Sequence, residues 1–297
     1  MSSNTFSIII ISYKRDDVLK QNISLLEVLL RERSCEVILV DNNEDDVSRE
    51  SYVTGFERGR YVKNHKNLGV SGGRNAGILC ATGKFLIFLD DDAFVDTEIL
   101  FDELEAKFNR EPSLGAIAFR SINFYSQRID RKEFPHTNKR LDPNIEFYTF
   151  RFIGVGHAIR REVFEECGLY IEDYFYGGEE FEFSYRMIMR NWTIQYCPQF
   201  RVVHKKSNSG RLPAVSACER RFVNQLKTNY LHLPVHIAIL NTLAWSIKTL
   251  IDTRGKANWL KICNELFLWR KQSDHERSPL NKKSLQYIRK CGGQLWK

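Results

Sequence analysis

The chain has 297 residues, 43% of them hydrophobic and 27% charged, with 7 prolines and 17 glycines. That is enough apolar material for a buried core, and it excludes collagen-like, linker-like and low-complexity architectures. The formal charge of +7 hides an asymmetry: Arg201 to Lys297 hold 19 Lys+Arg against 5 Asp+Glu, a net of +14, which leaves −7 on residues 1–200. An acidic body suggests work with a cation and a basic tail suggests an anionic surface.

The first residues lack the basic stretch of a secretory leader, and Phe6–Ile11 is too short for its apolar part. Phe6–Ile11 reads instead as a strand buried on both faces. Asp16 is placed to cap a helix whose face is Leu19, Ile23, Leu26 and Leu30. Glu36–Val40 is a second strand ending at Asp41, Arg60–Lys63 a short third, and Gly73–Ala81 a helix that stops at Gly83. Lys84–Leu89 is a fourth strand running into Asp90, Asp91 and Asp92, followed by a helix marked by Leu100, Leu104 and Phe108. This alternation predicts an α/β fold with a mostly parallel central sheet flanked by helices, its ligands beyond the carboxyl ends of the strands.

Residues 126–144 read as a loop, Glu179–Arg190 as a helix and Thr193–His204 as extended chain. Helices follow from Arg211 onward, with Trp245, Trp259, Trp269 and Trp296 among them. The composition changes near His204 to Gly210, which divides the chain into 1–205 and a basic helical region, 206–297. Leu231 to Ile251 is apolar but broken by His232, Pro234, His236, Asn241 and Lys248, so it suits a buried or interfacial helix better than a membrane span. The seven cysteines (Cys35, Cys80, Cys167, Cys197, Cys218, Cys263 and Cys291) contain no C-x-x-C pair. A reducing, cytoplasmic setting is therefore expected, with neither a disulfide framework nor a zinc cluster.

Three aspartates directly after a buried strand repel one another, and a divalent cation such as Mn2+ or Mg2+ would relieve them; the alternative is a solvated loop. Asp41, at the end of the second strand, is either a turn residue or an acceptor for the imide N–H of a pyrimidine. The run Asn67-Leu-Gly-Val-Ser-Gly-Gly-Arg-Asn-Ala-Gly77 brings glycines and Arg74 to a helix start, where backbone N–H groups and a guanidinium could meet a diphosphate. Arg74 serves equally as a surface ion pair. Glu179, Glu180 and Glu182, after two glycines, are either partners of a helix dipole or a general base and its neighbours. His204 is either structural or a metal ligand.

Taken in order, Ser-Ile-Ile-Ile-Ile-Ser-Tyr-Lys-Arg, Val-Asp-Asn-Asn, the glycine-rich run, Phe-Leu-Asp-Asp-Asp, Gly-Glu-Glu-Phe-Glu and a later Val-His resemble a family 2 glycosyltransferase over about residues 6–205. The resemblance implies a GT-A fold with a C-terminal helical extension and inverting transfer of a sugar from a UDP- or dTDP-linked donor to a glycan or lipid-linked hydroxyl. It implies nucleotide contacts from Ser12, Tyr13, Arg15, Asp41, Asn67, Gly69, Arg74, Asp90 and Asp91. Within that set Tyr13 lies against the base, Asp41 bonds it, Arg74 faces base or diphosphate, and Asp90 touches the ribose. Asp92, Asp90 and His204 would hold the metal. Glu180 matches the catalytic carboxylate, with Glu179 in reserve, and His157, Gly156 and Glu182 would face the acceptor. One departure is plain: the family has Glu-Asp-x-Asp where this chain has Glu-Glu-x-Glu.

Three rivals remain. A sugar nucleotidyltransferase would carry a glycine-rich loop where Ser-Tyr-Lys-Arg stands, and a phosphoryl-transfer enzyme would carry a phosphate-gripping loop with lysine. A catalytically impaired nucleotide-sugar-binding or scaffold protein of the same fold is the third, motivated by the altered glutamates. The basic tail is either a helical cap with a solvated face or a surface for an anionic membrane, with Leu260, Phe267, Leu268 and Trp269 beside Lys261, Arg270 and Lys271. No nucleic-acid-reading motif accompanies the charge, and the sequence does not decide the oligomeric state.

Overall fold

The computed structural model describes residues 5–31, 35–95, 100–207 and 209–295. The start of the chain and Trp296 lie outside them, and the Leu100 side chain is likewise not described. The elements are β1 (Phe6–Ser12), α1 (Asp16–Leu29), β2 (Glu36–Asp41), β3 (Arg58–Lys63), α2 (Gly69–Cys80), β4 (Phe85–Asp90), β5 (Ala93–Val95) and α3 (Leu100–Arg110). Then come β6 (Leu114–Asn123), β7 (Phe147–Thr149), β8 (Gly156–Arg160), α4 (Arg161–Cys167), α5 (Glu179–Met189) and β9 (Thr193–His204). Helices α6 (Ala214–His232), α7 (Val235–Asp252), α8 (Trp259–Gln272) and α9 (Lys282–Lys290) follow.

Successive residues of a strand point to opposite faces, and in β1 both faces are covered. Ile8 and Ile10 pack with Leu19, Ile23 and Leu26 of α1 and with Leu104 and Phe108 of α3. Ile9 packs with Ile78 of α2 and with Phe183 and Met187 of α5. Each such side chain contributes about 1.5–3 kcal/mol when fully buried, which is why the strand reads as an unbroken apolar run. Helix α2 approaches the sheet closely because of its glycines: a Cβ on Gly77 would stand 2.4 Å from Ile9 Cγ2, and one on Gly73 would stand 2.9 Å from Ile11 Cγ2.

The strand order is β3-β2-β1-β4-β8-β6-β9-β5, with β7 also pairing β9. Strands β1 to β4 are mutually parallel, as the strand-helix alternation predicts. Beyond them the sheet is mixed. β8 enters antiparallel between β4 and β6, β9 runs parallel to β6, and β5 and β7 pair antiparallel with the two ends of β9. The sequence from Gly115 to Arg160 lacks a helix between most of these strands, so no crossover forces them parallel.

Two local expectations change. Asp16 is the first residue of α1 rather than its cap; Arg15 holds the cap position without a capping side chain. The Asp16 carboxylate instead receives the buried Arg49 guanidinium, at 2.9 Å from Nη2 to Oδ2. Helix α2 begins at Gly69, not Gly73, because Gly69 takes a φ of 69° and the Asn67 side chain accepts its N–H at 2.9 Å.

The run Leu231 to Ile251 is two helices, since Leu233 is extended (ψ 140°) ahead of Pro234. Leu233, Ile237, Leu280, Ile288 and Leu295 from the tail share an apolar cluster with Phe150, Tyr185 and Ile188.

Candidate active site

The register sets the carboxyl ends of three strands side by side, with Ser12 opposite Asp41 and Ile11 opposite Asp90. The chain then turns through Asp91 and Asp92 into β5, whose Ala93 pairs with His204 at the end of β9. Lys205 N–H donates to the Asp92 carbonyl at 2.8 Å. These backbone contacts, and not nearness in sequence, bring the Asp92 carboxylate to the His204 imidazole.

Asp90 is partly exposed, whereas Asp91 and Asp92 are buried. The Asp91 carboxylate accepts from Tyr13 N–H at 3.1 Å and from Arg15 Nη1 at 2.5 Å. Burial pushes its pKa up to about 7, with Asp92 adding to the rise and Arg15 opposing it. Asp92 Oδ2 accepts from Ser207 N–H at 3.2 Å and lies 3.3 Å from Arg15 Nη1. Asp92 Oδ1 stands 3.1 Å from His204 Nε2 as an ion pair, yet the two are not aligned for a hydrogen bond, and both buried atoms lack a hydrogen-bond partner. The other ring nitrogen, Nδ1, meets Glu133 Oε1 at 2.9 Å. Burial lowers the His204 pKa, but Asp92 and Glu133 outweigh it and lift the group to about 9.

Asp90, Asp92 and His204 each offer a ligand atom, and these atoms lie within 4.8 Å of one another. Two carboxylates and an imidazole form an oxygen and nitrogen donor set suited to Mn2+ or Mg2+. Asp92 Oδ1 and His204 Nε2, buried without hydrogen bonds, are what a cation would satisfy by taking the place of the ring proton, and the Glu133 carboxylate on Nδ1 fixes the ring, as outer partners of metal-bound histidines do.

A second acidic pair stands beside the first. Arg74 is buried, not a surface residue: Nη1 lies 3.1 Å from Glu179 Oε1 and 3.5 Å from Glu180 Oε1, and Nη2 donates to the Gly154 carbonyl at 3.2 Å. The same guanidinium is 3.9 Å from Asp90 Oδ1, so it links the two clusters. A Cβ on Gly154 would stand 2.2 Å from Glu180 Oε1 and 2.6 Å from Arg74 Nη2, so a side chain there would push the two groups aside.

The two glutamates differ in environment. Glu179 is buried, its Oε2 has no partner, and burial together with the neighbouring Glu180 raises its pKa well above the usual range despite Arg74. The Glu180 side chain keeps 19% of its surface exposed. Of the two, Glu180 is the one a solvent-borne hydroxyl can reach.

Several sequence-predicted residues sit elsewhere. Asp41 is buried and its carboxylate is already in use: Oδ1 accepts from the Asn43 backbone and side chain at 2.8 and 2.7 Å. Oδ2 accepts from Tyr61, Arg49 and Lys63 at 2.7, 3.1 and 3.2 Å. Burial raises its pKa, and the hydrogen bonds from Tyr61, Asn43 and Lys63 bring the net result below the ordinary value. Asn67 and Gly69 build the start of α2. Gly73 and Gly77 of that helix pack it onto the sheet, while Gly72 faces the Leu68 side chain, in place of the anion cradle their spacing suggests.

His157 is buried between Phe88 and Phe152, with ring centroids at 4.9 and 4.5 Å, and burial, then Arg74, drives its pKa well below the usual value. Gly156 makes room for Val202, whose Cγ1 would lie 2.8 Å from an added Cβ. Both residues are core, which displaces their expected acceptor role.

Glu182 is also interior. It accepts from Arg186 Nε and Nη2, each at 2.8 Å, and meets His232 Nε2 of α6 at 2.8 Å. The pair with Arg186 and the contact with His232 hold its pKa near 2 although burial opposes this. A carboxyl lowered on folding stabilises the native state above its unfolded pKa of 4.5, and that contribution is lost as pH falls through about 2. Glu182→Ala, which removes the buried carboxylate from a half-buried Arg186, is expected to cost about 3 kcal/mol, the low end for a broken buried pair. Urea unfolding followed from pH 7 downward would check both statements: the variant should be less stable at neutral pH and lose less stability on acidification.

Three residues that sequence reasoning passed over support the site. Asn22, on the buried face of α1, donates through Nδ2 to the Ala93 and Asp91 carbonyls at 3.0 and 3.4 Å, pinning the aspartate turn. Glu133 orients His204 and is itself held by Lys206 at 2.7 Å. Arg211 lies 3.8 Å from Asp92 Oδ2. A lone asparagine, or a glutamate in a charged loop, carries no motif, so only the folded positions disclose these roles.

Residues 7–168 match the profile of Glycosyl transferase family 2. An uncharacterized protein of Haemophilus influenzae is 30% identical over 173 residues, which is 56% of this chain and 93% of the relative. Among solved structures, a GalNAc-T7 with UDP, GalNAc and Mn2+ superposes with a TM-score of 0.59 at 17% identity, over 95% of this chain and 60% of that one. The mannosyltransferase PcManGT from Pyrobaculum calidifontis, in complex with GDP-Man and Mn2+, superposes with a TM-score of 0.58 at 15% identity, over 98% and 85%. At that identity the two structures speak for the fold, which is GT-A. With more than half of its length matched, the strand-end aspartates included, the chain belongs to glycosyl transferase family 2.

Proposed function

We propose that the protein is an inverting glycosyltransferase that moves a sugar from a nucleotide diphosphate sugar to a hydroxyl of a glycan or lipid-linked acceptor. The observation that carries this reading is the buried Arg74 bridging two acid clusters of opposite character, a cation-type site on one side and a reachable carboxylate on the other. The ligands of the two fold neighbours, UDP and GDP-Man, each with Mn2+, support a nucleotide-linked donor and a divalent cation here too. Residues 1–205 are proposed as the catalytic unit and 206–297 as its helical companion.

Asp90, Asp92 and His204 would hold Mn2+ or Mg2+, which supplies positive charge against the departing diphosphate. Arg15 and Arg211, at 3.3 and 3.8 Å from Asp92, add fixed cationic groups on the same side. Glu180 accepts the proton of the acceptor hydroxyl, whose oxygen forms the new bond to the anomeric carbon while the bond to the diphosphate oxygen breaks. Burial and the neighbouring Glu180 disfavour charge on Glu179, and Arg74 holds both side chains in place.

The Glu-Glu-x-Glu departure then divides into two parts. At Glu182 the longer side chain serves the Arg186 and His232 contacts, and at Glu180 it extends the base by about one bond length, in a reaction whose geometry tolerates little displacement. Tyr13 is proposed against the base. Asp41 would have to release Lys63 or Tyr61 to bond a uracil, so the preference for UDP or dTDP rests on the UDP-bound neighbour more than on this residue.

A panel of UDP-, dTDP- and GDP-sugars with Mn2+ tests the reading by binding and by slow donor hydrolysis. One donor class should bind and be hydrolysed. Failure of every nucleotide sugar to bind would overturn the proposal, and binding without turnover would favour the impaired scaffold protein.

A further inference from the structure

The tail contains a helix that is turned inside out. On α7, the side chains facing the protein include Asn241, which donates to the Leu295 carbonyl at 2.7 Å, and Thr242, which accepts from Asn229 at 3.1 Å. Thr249 is buried as well. The opposite side exposes Val235, Ile239, Leu240, Leu243, Ile247 and Ile251, with Ile247 61% and Ile251 67% accessible. At about 100° per residue these fall on one arc of about 160°, shared with His236 and Ser246. A helix covering a soluble core has the reverse arrangement, and exposed apolar patches of this extent mark an interaction surface.

The neighbouring elements bear on what occupies it. Helix α8 exposes Leu260 and Phe267, at 86% and 68%, while Lys261, Arg270 and Lys271 of the same helix are exposed. Lys248, Arg254 and Lys256 do the same at the end of α7. Trp269, grouped with the exposed set from sequence alone, leaves it: the indole is buried and donates to Asp173 at 3.1 Å. Apolar side chains among lysines and arginines, in a segment of net charge +14, match a surface that is apolar within and anionic at its rim. A second copy of the chain fits poorly, because a two-fold contact would set this cationic rim against itself. Among the described residues no helix is long and apolar enough to cross a membrane.

We propose that α7 and α8 form a docking face for an anionic lipid bilayer, with the apolar arc of α7 lying in the interface and the basic side chains on the headgroups. The proposal stands apart from the reaction chemistry, since it uses none of the residues assigned to it.

Vesicle co-sedimentation of the full chain tests it, with vesicles of phosphatidylcholine alone and of equimolar phosphatidylcholine and phosphatidylglycerol. Binding is expected only with phosphatidylglycerol, falling about fivefold for each basic residue removed and weakening at high salt. The triple substitution Ile239→Ser, Leu243→Ser, Ile247→Ser should lower partitioning about 100-fold or more while leaving circular dichroism and donor binding unchanged. A second variant, Lys261→Gln with Arg270→Gln and Lys271→Gln, keeps the apolar arc and should lose the preference for anionic vesicles. No binding to the anionic vesicles at low salt overturns the proposal. So does a dimer in light scattering that the triple serine variant dissolves, since the face would then belong to a second copy.

Discussion

Glu180→Gln is expected to bind the nucleotide sugar as the parent chain does and to turn over about 10²–10⁴-fold more slowly. The reasoning is local. Glu180 is the accessible member of a pair that shares Arg74, and an amide in its place keeps the shape but accepts no proton. Glu179→Gln is the companion measurement. Burial and its neighbour Glu180 disfavour charge on Glu179 and burial keeps it from an acceptor hydroxyl, so an amide there should lower turnover by less than about tenfold, below the range for loss of a general base. Steady-state rates and donor affinity for the two variants separate the roles. If Glu179→Gln fell further than Glu180→Gln, the base would be Glu179 and the assignment would be reversed.

Asp92→Asn should weaken Mn2+ binding about 100-fold or more, since replacing even an outer partner of a metal ligand costs about 10–100-fold. The amide keeps the volume and can still accept from Ser207 N–H, which the parent carboxylate bonds at 3.2 Å. The loss should therefore be of metal affinity and not of fold. Calorimetric titration with Mn2+ reads the affinity directly, and circular dichroism controls for structure. Donor binding at limiting Mn2+ should fall in parallel and recover in part at high Mn2+. Unchanged Mn2+ affinity would remove Asp92 from the site, whatever happened to the rate.

The two predictions rest on different physical features of one cleft. For Glu180 the argument is a contrast in burial between adjacent carboxyl groups. For Asp92 it is a buried carboxylate oxygen facing a buried ring nitrogen at 3.1 Å with no hydrogen bond to either atom. Both features are produced by burial, and burial of a particular atom depends on what long-range pairing brings over it.

That dependence explains which parts of the protein were legible in its sequence. The strands of the first 90 residues were, because a strand covered on both faces must be apolar throughout, and Phe6–Ser12, Glu36–Asp41 and Phe85–Asp90 all are or nearly are. Helix α1 was legible from the three- and four-residue spacing of Leu19, Ile23, Leu26 and Leu30. Strand β9 was legible end to end, since its β-branched and aromatic residues lack helical periodicity, and Pro198 falls where the pairing with β6 slips between Cys197 and Arg201. The acid clusters were legible as chemistry, because like charges placed together after a strand or at a helix start demand some partner.

The partners themselves were decided by the tertiary structure. His204 reaches Asp92 only through the three-residue strand β5, too short to announce itself by pattern. Glu182 and Glu180 are two residues apart on α5, and the rotation of a helix by about 100° per residue turns one toward Arg186 and His232 and leaves the other beside Arg74 and solvent. Asp41 has the sequence position of a ligand-binding residue, but Tyr61 and Lys63, brought alongside by β3, occupy it first. Helix α7 carries the same lesson, since its sequence suited a buried or an interfacial helix alike, and only the fold leaves the apolar residues exposed while Asn241 and Thr249 are inside. By itself the sequence determined the α/β plan and the kinds of side chain available, because those follow from local periodicity and charge, while its ordered motifs carried the resemblance to the family. Which carboxylate is free, which is paired and which helix face meets solvent depend on contacts between segments dozens of residues apart, and only the folded chain brings those together.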